Sequence, residues 1–328
     1  QAIIVKRLGL ESLPYSFVIF ALAGMLGAFI YICFADSIRR QTLLKIYCLI
    51  TGGGLIFSSM ITTLQEGETG LILFSILMMI AYGIGDSTIG VQIWTLIADT
   101  FSHKQGTRLY PILSLASVLG EIIGGLVIAN HWEIFPKNVP TEWYVLCWGI
   151  ATLCVIPILS TLQKKCAIFQ EPTYQKWSKN LKDGIILFFR SPYIHPIALI
   201  CVCFWLVASL KEIQYMKIVE QNIKTETMLN QYYGYYSILM NISVLFFQLF
   251  FTGRILKRIG VGAGLCTLPI TIFAGVFTVW IFPSFLLAFF MRFTWDITAM
   301  TIQGSSYQLS YNVVPFQYRG RIDRKSVV

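Results

Sequence analysis

Charge is what this sequence has least of. Of its 328 residues only 12% are Asp, Glu, Lys or Arg, about half the share of a soluble globular domain, and that scarcity excludes an ordinary water-soluble enzyme. Histidine is scarcer still: His103, His131 and His195 fall in or beside different loops, a spacing that supports no metal cluster. The eight cysteines contain no Cys-x-x-Cys and lie mostly inside apolar runs, so neither a disulfide framework nor a zinc site is indicated. The run Gly52-Gly53-Gly54 is not followed by Gly-Lys-Ser/Thr and lies within an apolar stretch, so nucleotide hydrolysis on a phosphate loop is not supported.

Long apolar runs are what the chain has in abundance. Hydrophobic residues make up 56% of it, and nine stretches are long enough to cross about 30 Å of hydrocarbon as helices. They are 13–35, 43–64, 71–98, 110–130, 143–162, 193–217, 230–252, 261–282 and 285–307. The fold class is therefore an all-α integral membrane protein. Lys and Arg concentrate in alternate loops, on the side that includes Arg39, Arg40, Arg108, Lys257 and Arg258, which makes that side cytoplasmic. The first residues then lie outside and the last, ending at Val328, in the cytoplasm. The formal charge of +9 follows from this topology, so no nucleic-acid partner is expected. Trp132, Trp143, Tyr144, Tyr232, Tyr233 and Tyr236 fall near expected span ends, where aromatic rings favour the interface without any ligand.

The longest loop divides the chain into an N-terminal bundle of five spans (1–162), a central cytoplasmic loop (163–192) and a C-terminal bundle of four (193–328). Within the loop Tyr174, Trp177, Leu181, Ile185 and Phe188 recur at helical spacing among Lys176, Lys179 and Lys182, the pattern of an interfacial amphipathic helix. A shift of 218 places Arg39-Arg40 on Lys257-Arg258, and Asp86-Ser87-Thr88 in the third span parallels Asp296-Ile297-Thr298 in the ninth at a slightly different offset, which supports a repeat. Parallel repeats about a central loop resemble the architecture of major-facilitator transporters, two bundles of six spans with the substrate between them. Nine spans beginning at Gln1 would then be the second to the tenth of twelve, a fragment of a longer chain.

Trp94-Thr95-Leu96-Ile97-Ala98 followed by Arg108-Leu109-Tyr110-Pro111, then Leu210-Lys211-Glu212-Ile213-Gln214-Tyr215 with Tyr233-Gly234-Tyr235, and Gly253-Arg254-Ile255-Leu256-Lys257-Arg258-Ile259-Gly260-Val261 carry a second resemblance. Together they resemble the ATP/ADP translocases of plastids and intracellular bacteria, and Arg108-Leu-Tyr-Pro with Gly124-Gly125 is similar to translocase-like proteins fused to soluble domains. The resemblance implies exchange of adenine nucleotides by alternating access, in a bacterial inner or plasma membrane, with no cofactor and no catalytic residue. It also implies a role for Glu212, which matches an acidic position of the translocase motif. In that motif a Lys follows the aromatic directly, whereas here Met216 follows Tyr215 and Lys217 comes next.

Ionisable residues within spans are costly and serve as functional candidates. Arg292 and Asp296 lie four apart on one face of the ninth span, open to reading as an ion pair or as a binding site, and Arg292 is the expected mid-membrane donor for phosphate. Asp86, Glu121, Glu212 and Lys217 complete the substrate-binding candidates, Lys217 also reading as a residue that snorkels to the surface. Glu121 sits within Gly120-x-x-x-Gly124, a pattern that allows close helix approach. Arg39, Arg40, Arg108, Lys257 and Arg258 are the candidates for a cytoplasmic gate, with topology alone as the other reading. The expected partners are the lipid bilayer and a small-molecule substrate, a nucleotide by resemblance. Two alternatives stay open: a sensor or anchor module fused to a cytoplasmic domain beyond Val328, and a proton-coupled permease for another solute in which Asp86, Glu121 and Asp296 titrate.

Overall fold

The computed structural model describes residues 4–34, 38–65, 67–100, 103–130, 140–165 and 194–306. Among these, nine long helices and no strands are found: α1 (Leu13–Phe34), α2 (Arg40–Leu64), α3 (Glu68–Thr100), α4 (His103–Ala129), α5 (Glu142–Lys165), α6 (Ile194–Asn222), α7 (Glu226–Phe247), α8 (Gly253–Ile281) and α9 (Phe285–Thr298). Seven helical stretches of the described residues are long and apolar enough to cross a membrane. Large side chains such as Phe273, Trp280 and Leu249 stand exposed along their length. In water that would be a liability; in lipid it is the expected outer surface, since the backbone is satisfied within each helix. The central loop with its amphipathic pattern lies outside the described residues.

The helices pack in two groups. α2 lies along α3 and α5, and α1 along α3, around a core of Leu55, Phe74, Met78, Ala81 and Val145. α8 packs on α9, which also meets α6 and α7, around Tyr215, Val219, Leu229, Val279, Ala288 and Met291. α4 is counted with the first bundle by sequence, yet its main described contact is along α7 of the second group. Glycine permits that crossing. A Cβ on Gly234 would lie 2.5 Å from the Ala129 nitrogen and 2.7 Å from the Gly125 carbonyl oxygen, so the two backbones meet with no side chain between them. The sequence pattern pointed to Gly120 and Gly124, but a Cβ at either would meet nothing within 4 Å. The close approach belongs to Gly125, one residue along and on a different helical face.

Two helix starts carry recognisable caps. The Thr225 hydroxyl accepts from the Met228 amide at 3.3 Å and the Ser284 hydroxyl from the Leu287 amide at 3.2 Å, each satisfying an otherwise orphan donor. α7 therefore begins earlier than the expected residue 230, and α6 continues past the expected 217 to Asn222. The basic stretch after α7 differs from the turn expected there. Gln248–Thr252 is a π-helical segment leading directly into α8, because Arg254, Leu256, Lys257 and Arg258 are good helix formers. The break comes at Gly260, with φ 78° and ψ 167°. Arg39, by contrast, is extended and caps α2, with Arg40 its first residue, so the two basic pairs are not copies of one local structure.

The conformation of Gly260 is accessible essentially to glycine alone, and a Cβ there would meet nothing within 4 Å. Gly260→Ala should therefore lose about 1–3 kcal/mol of stability from the backbone alone, measured as a lowered Tm in detergent. Gly253→Ala, at an equally open but helical position, should instead raise stability by up to about 1 kcal/mol.

Candidate functional site

α6 brings Lys211 and Glu212, and α9 brings Arg292 and Asp296, to one place inside the second helix group. The Arg292 Nη1 donates to Glu212 Oε1 at 2.8 Å. Its Nε lies 3.6 Å from Asp296 Oδ2, too far for a hydrogen bond, and is buried without a partner. Lys211 Nζ stands 3.6 Å from Glu212 Oε2 and 3.8 Å from Asp296 Oδ1. The Tyr236 hydroxyl donates to Asp296 Oδ2 at 2.6 Å. Lys211 is 6% exposed and Glu212 8%.

Aromatic rings enclose the cations. The Arg292 guanidinium carbon lies 4.5 Å from the Tyr215 ring centre, 5.0 Å from Tyr236 and 5.4 Å from Tyr233, while Lys211 Nζ lies 4.9 Å from Trp295. Trp295 is itself stacked on Phe204. A desolvated cation over such a ring gains about 2 kcal/mol, and Tyr215 is tied to Tyr232 through their hydroxyls. Two buried positive and two buried negative groups, each several kcal/mol costly if isolated, thus neutralise one another. The donors are the less satisfied side. Glu212 and Asp296 each accept a good hydrogen bond, while Arg292 Nε donates to no partner and both Lys211 contacts are long.

Of the sequence candidates, Arg292, Asp296 and Glu212 meet here. Asp86 is exposed on α3 beside Tyr82, its hydrogen-bond partner. Glu121 is exposed on α4 and Lys217 on α6, and no described ion pair joins them to the cluster. Arg39, Lys257 and Arg258 are exposed and Arg40 half-buried; the Arg108 side chain lies outside the described part. Two readings need correction. Arg292 is not alone as the donor inside the bundle, because α6 continues past 217 to Asn222 and so buries Lys211 beside it. Tyr233 and Tyr236 are not an interfacial belt, since the earlier start of α7 sets them inward against Arg292.

Residues 11–322 match the sequence profile of the Major Facilitator Superfamily. The chain belongs to this superfamily. In structure it is similar to a D-xylose-proton symporter, with a TM-score of 0.54 at 12% sequence identity, over 100% of this chain and 77% of the symporter. No curated protein matches it in sequence. A major-facilitator fold makes this a multi-pass membrane protein of transporter architecture. Membership of the narrower ATP/ADP translocase family is not what these matches show.

Proposed function

We propose that the protein is a secondary transporter that carries an anionic solute together with a proton, with Lys211, Glu212, Arg292 and Asp296 as its site. The supporting observation is the imbalance in that cluster: its unfilled hydrogen-bonding capacity is on the cations. An acceptor-rich anion completes Arg292, whose Nε is the cluster atom buried without a partner, whereas a cationic solute would find one oxygen of each carboxylate already engaged. Adding an anion to a neutral buried cluster leaves an uncompensated charge, which is costly in a low-dielectric interior. A proton on a carboxylate restores neutrality, so solute and proton arrive together.

Asp296 is the proton carrier in this reading. Its cations stand at 3.6 and 3.8 Å, while Glu212 holds Arg292 at 2.8 Å. The symporter that resembles this chain is a D-xylose-proton symporter, which supports proton coupling without supporting a sugar. The orientation, with the N-terminal end outside and the charged loops cytoplasmic, belongs to the same reading.

The test is uptake into liposomes holding the protein, with labelled inorganic phosphate, ATP and D-xylose as probes. One proton per solute under an inward gradient of one pH unit supports about tenfold accumulation. The expected result is acid-driven uptake of an anionic probe, loss of the acid effect in Asp296→Asn, and no uptake of D-xylose. Anion uptake that needs internal ADP and ignores pH would restore nucleotide exchange. No uptake of any probe by folded protein would favour the sensor or anchor reading.

A further inference from the structure

The two helix groups also meet where α1, α5 and α7 begin. Arg7 donates from Nε and Nη2 to the two carboxylate oxygens of Glu226 at 2.9 and 3.1 Å, and from Nη1 and Nη2 to Glu142. The Thr141 hydroxyl donates to the same Glu226. Arg7, Thr141 and Glu142 belong to the first group of helices and Glu226 opens α7 of the second, so one guanidinium clasps both. Hydrogen bonding to Glu226, foremost, raises the Arg7 pKa above its ordinary value against the opposing effect of burial; the clasp stays charged.

The same short segment also makes apolar contact with both groups. Ile4 is buried in the core of the first, while Val5 and Leu13 are buried against Met216 of α6, with Phe17, Ile213 and Tyr233 around them. The Tyr233 hydroxyl donates to the Met216 sulfur at 2.8 Å, and the Tyr233 ring faces Arg292. Arg7 and Val5 share the short helical segment Ile4–Leu8, and from Val5 a series of contacts runs through Leu13 and Met216 to Tyr233 and the charge cluster.

We propose that the Arg7–Glu142–Glu226 clasp and the Val5–Leu13–Met216 plug beneath it are the closed gate on this side of the site. Both part when the solute reaches Arg292 from this end, and Tyr233, touching plug and guanidinium together, links the gate to the site. The clasp suits the task because its Arg7–Glu226 pair, with side chains 32% and 21% exposed, retains access to water and is weak enough to break in each cycle, while the buried Glu142 holds the other side of the guanidinium in the first group. The proposal rests on alternating access but not on the identity of the solute.

The experiment places spin labels at Glu68 and Lys224, exposed positions on the two groups near this end, in full-length protein lacking reactive thiols, and measures the distance between them. Arg7→Ala should raise the open-to-closed ratio at least about fivefold, the upper end for one solvent-accessible pair, and Arg7→Lys, which keeps the charge but loses the fork, should fall between. Should Arg7→Ala fail to fold, the unmutated pair in about 1 M salt serves instead, because screening then shortens to about 3 Å and the open fraction should rise. Distances unmoved by both substitution and salt would overturn the gate. Uptake plays no part in this readout, so failure of the anion reading would show in the liposome assay and leave these distances untouched.

Discussion

Arg292→Ala is expected to abolish anion uptake and to lower stability by about 3–5 kcal/mol, the cost of leaving a buried charge uncompensated. Glu212 would lose its 2.8 Å donor and three tyrosine rings their cation, while Lys211 alone would face two carboxylates. The double substitution Arg292→Ala with Glu212→Gln should recover most of the stability, because it removes the stranded charge, and none of the transport. That separation, read by Tm in detergent beside uptake in liposomes, distinguishes a residue that binds solute from one that only balances the interior. Arg292→Lys retains charge but not the planar fork or its stacking, and should fold with weakened uptake. Uptake near the unsubstituted level in folded Arg292→Ala would remove this residue from the site.

The second large effect belongs to Gly234. Its neighbours across the α4–α7 crossing are backbone atoms of Ala129 and Gly125, which cannot rotate away, so any side chain must push the helices apart. Gly234→Leu should cost about 3 kcal/mol, the upper part of the range for overpacking, and should reduce uptake further than that loss of stability alone would. α4 is joined in the chain to α3 and α5, so moving it from α7 alters how the two helix groups sit together. Gly125→Ala, with 2.9 Å to the Gly234 carbonyl oxygen and 3.0 Å to Ile238, should do the same more mildly. Gly120→Ala, with open space around it inside α4, should leave uptake unchanged and raise stability by up to about 1 kcal/mol.

The helices and their order were legible in the sequence because a span is a one-dimensional property, a run of apolar residues of sufficient length. The pair Arg292 and Asp296 was legible for a similar reason, being four apart on one helix. Lys211 was not. It stands six residues before Lys217, close to the expected end of the span, where a basic residue reads as interfacial; the continuation of α6 to Asn222 is what carries it inside. Its neighbour Glu212, already a candidate, was the available signal. Tyr233 and Tyr236 were hidden by the same kind of error at the start of α7. Arg7, Glu142 and Glu226 each looked like a loop charge explained by topology, since nothing in their separate positions reveals that three helix beginnings converge. The glycine crossing shows a finer limit: the small-residue spacing was visible, but which glycine faces a partner depends on where that partner lies.

The charge balance of the cluster has a consequence for energetics on the scale of the whole membrane. Moving one elementary charge through a potential of 100 mV involves about 2.3 kcal/mol. Lys211 and Arg292 offset Glu212 and Asp296, so these four groups together can be re-exposed from one face to the other without electrical work. A monovalent anion accompanied by its proton adds zero as well. Both the loaded and the returning limbs of such a cycle are electroneutral, and the chemical gradients of solute and proton drive it while the membrane voltage does not.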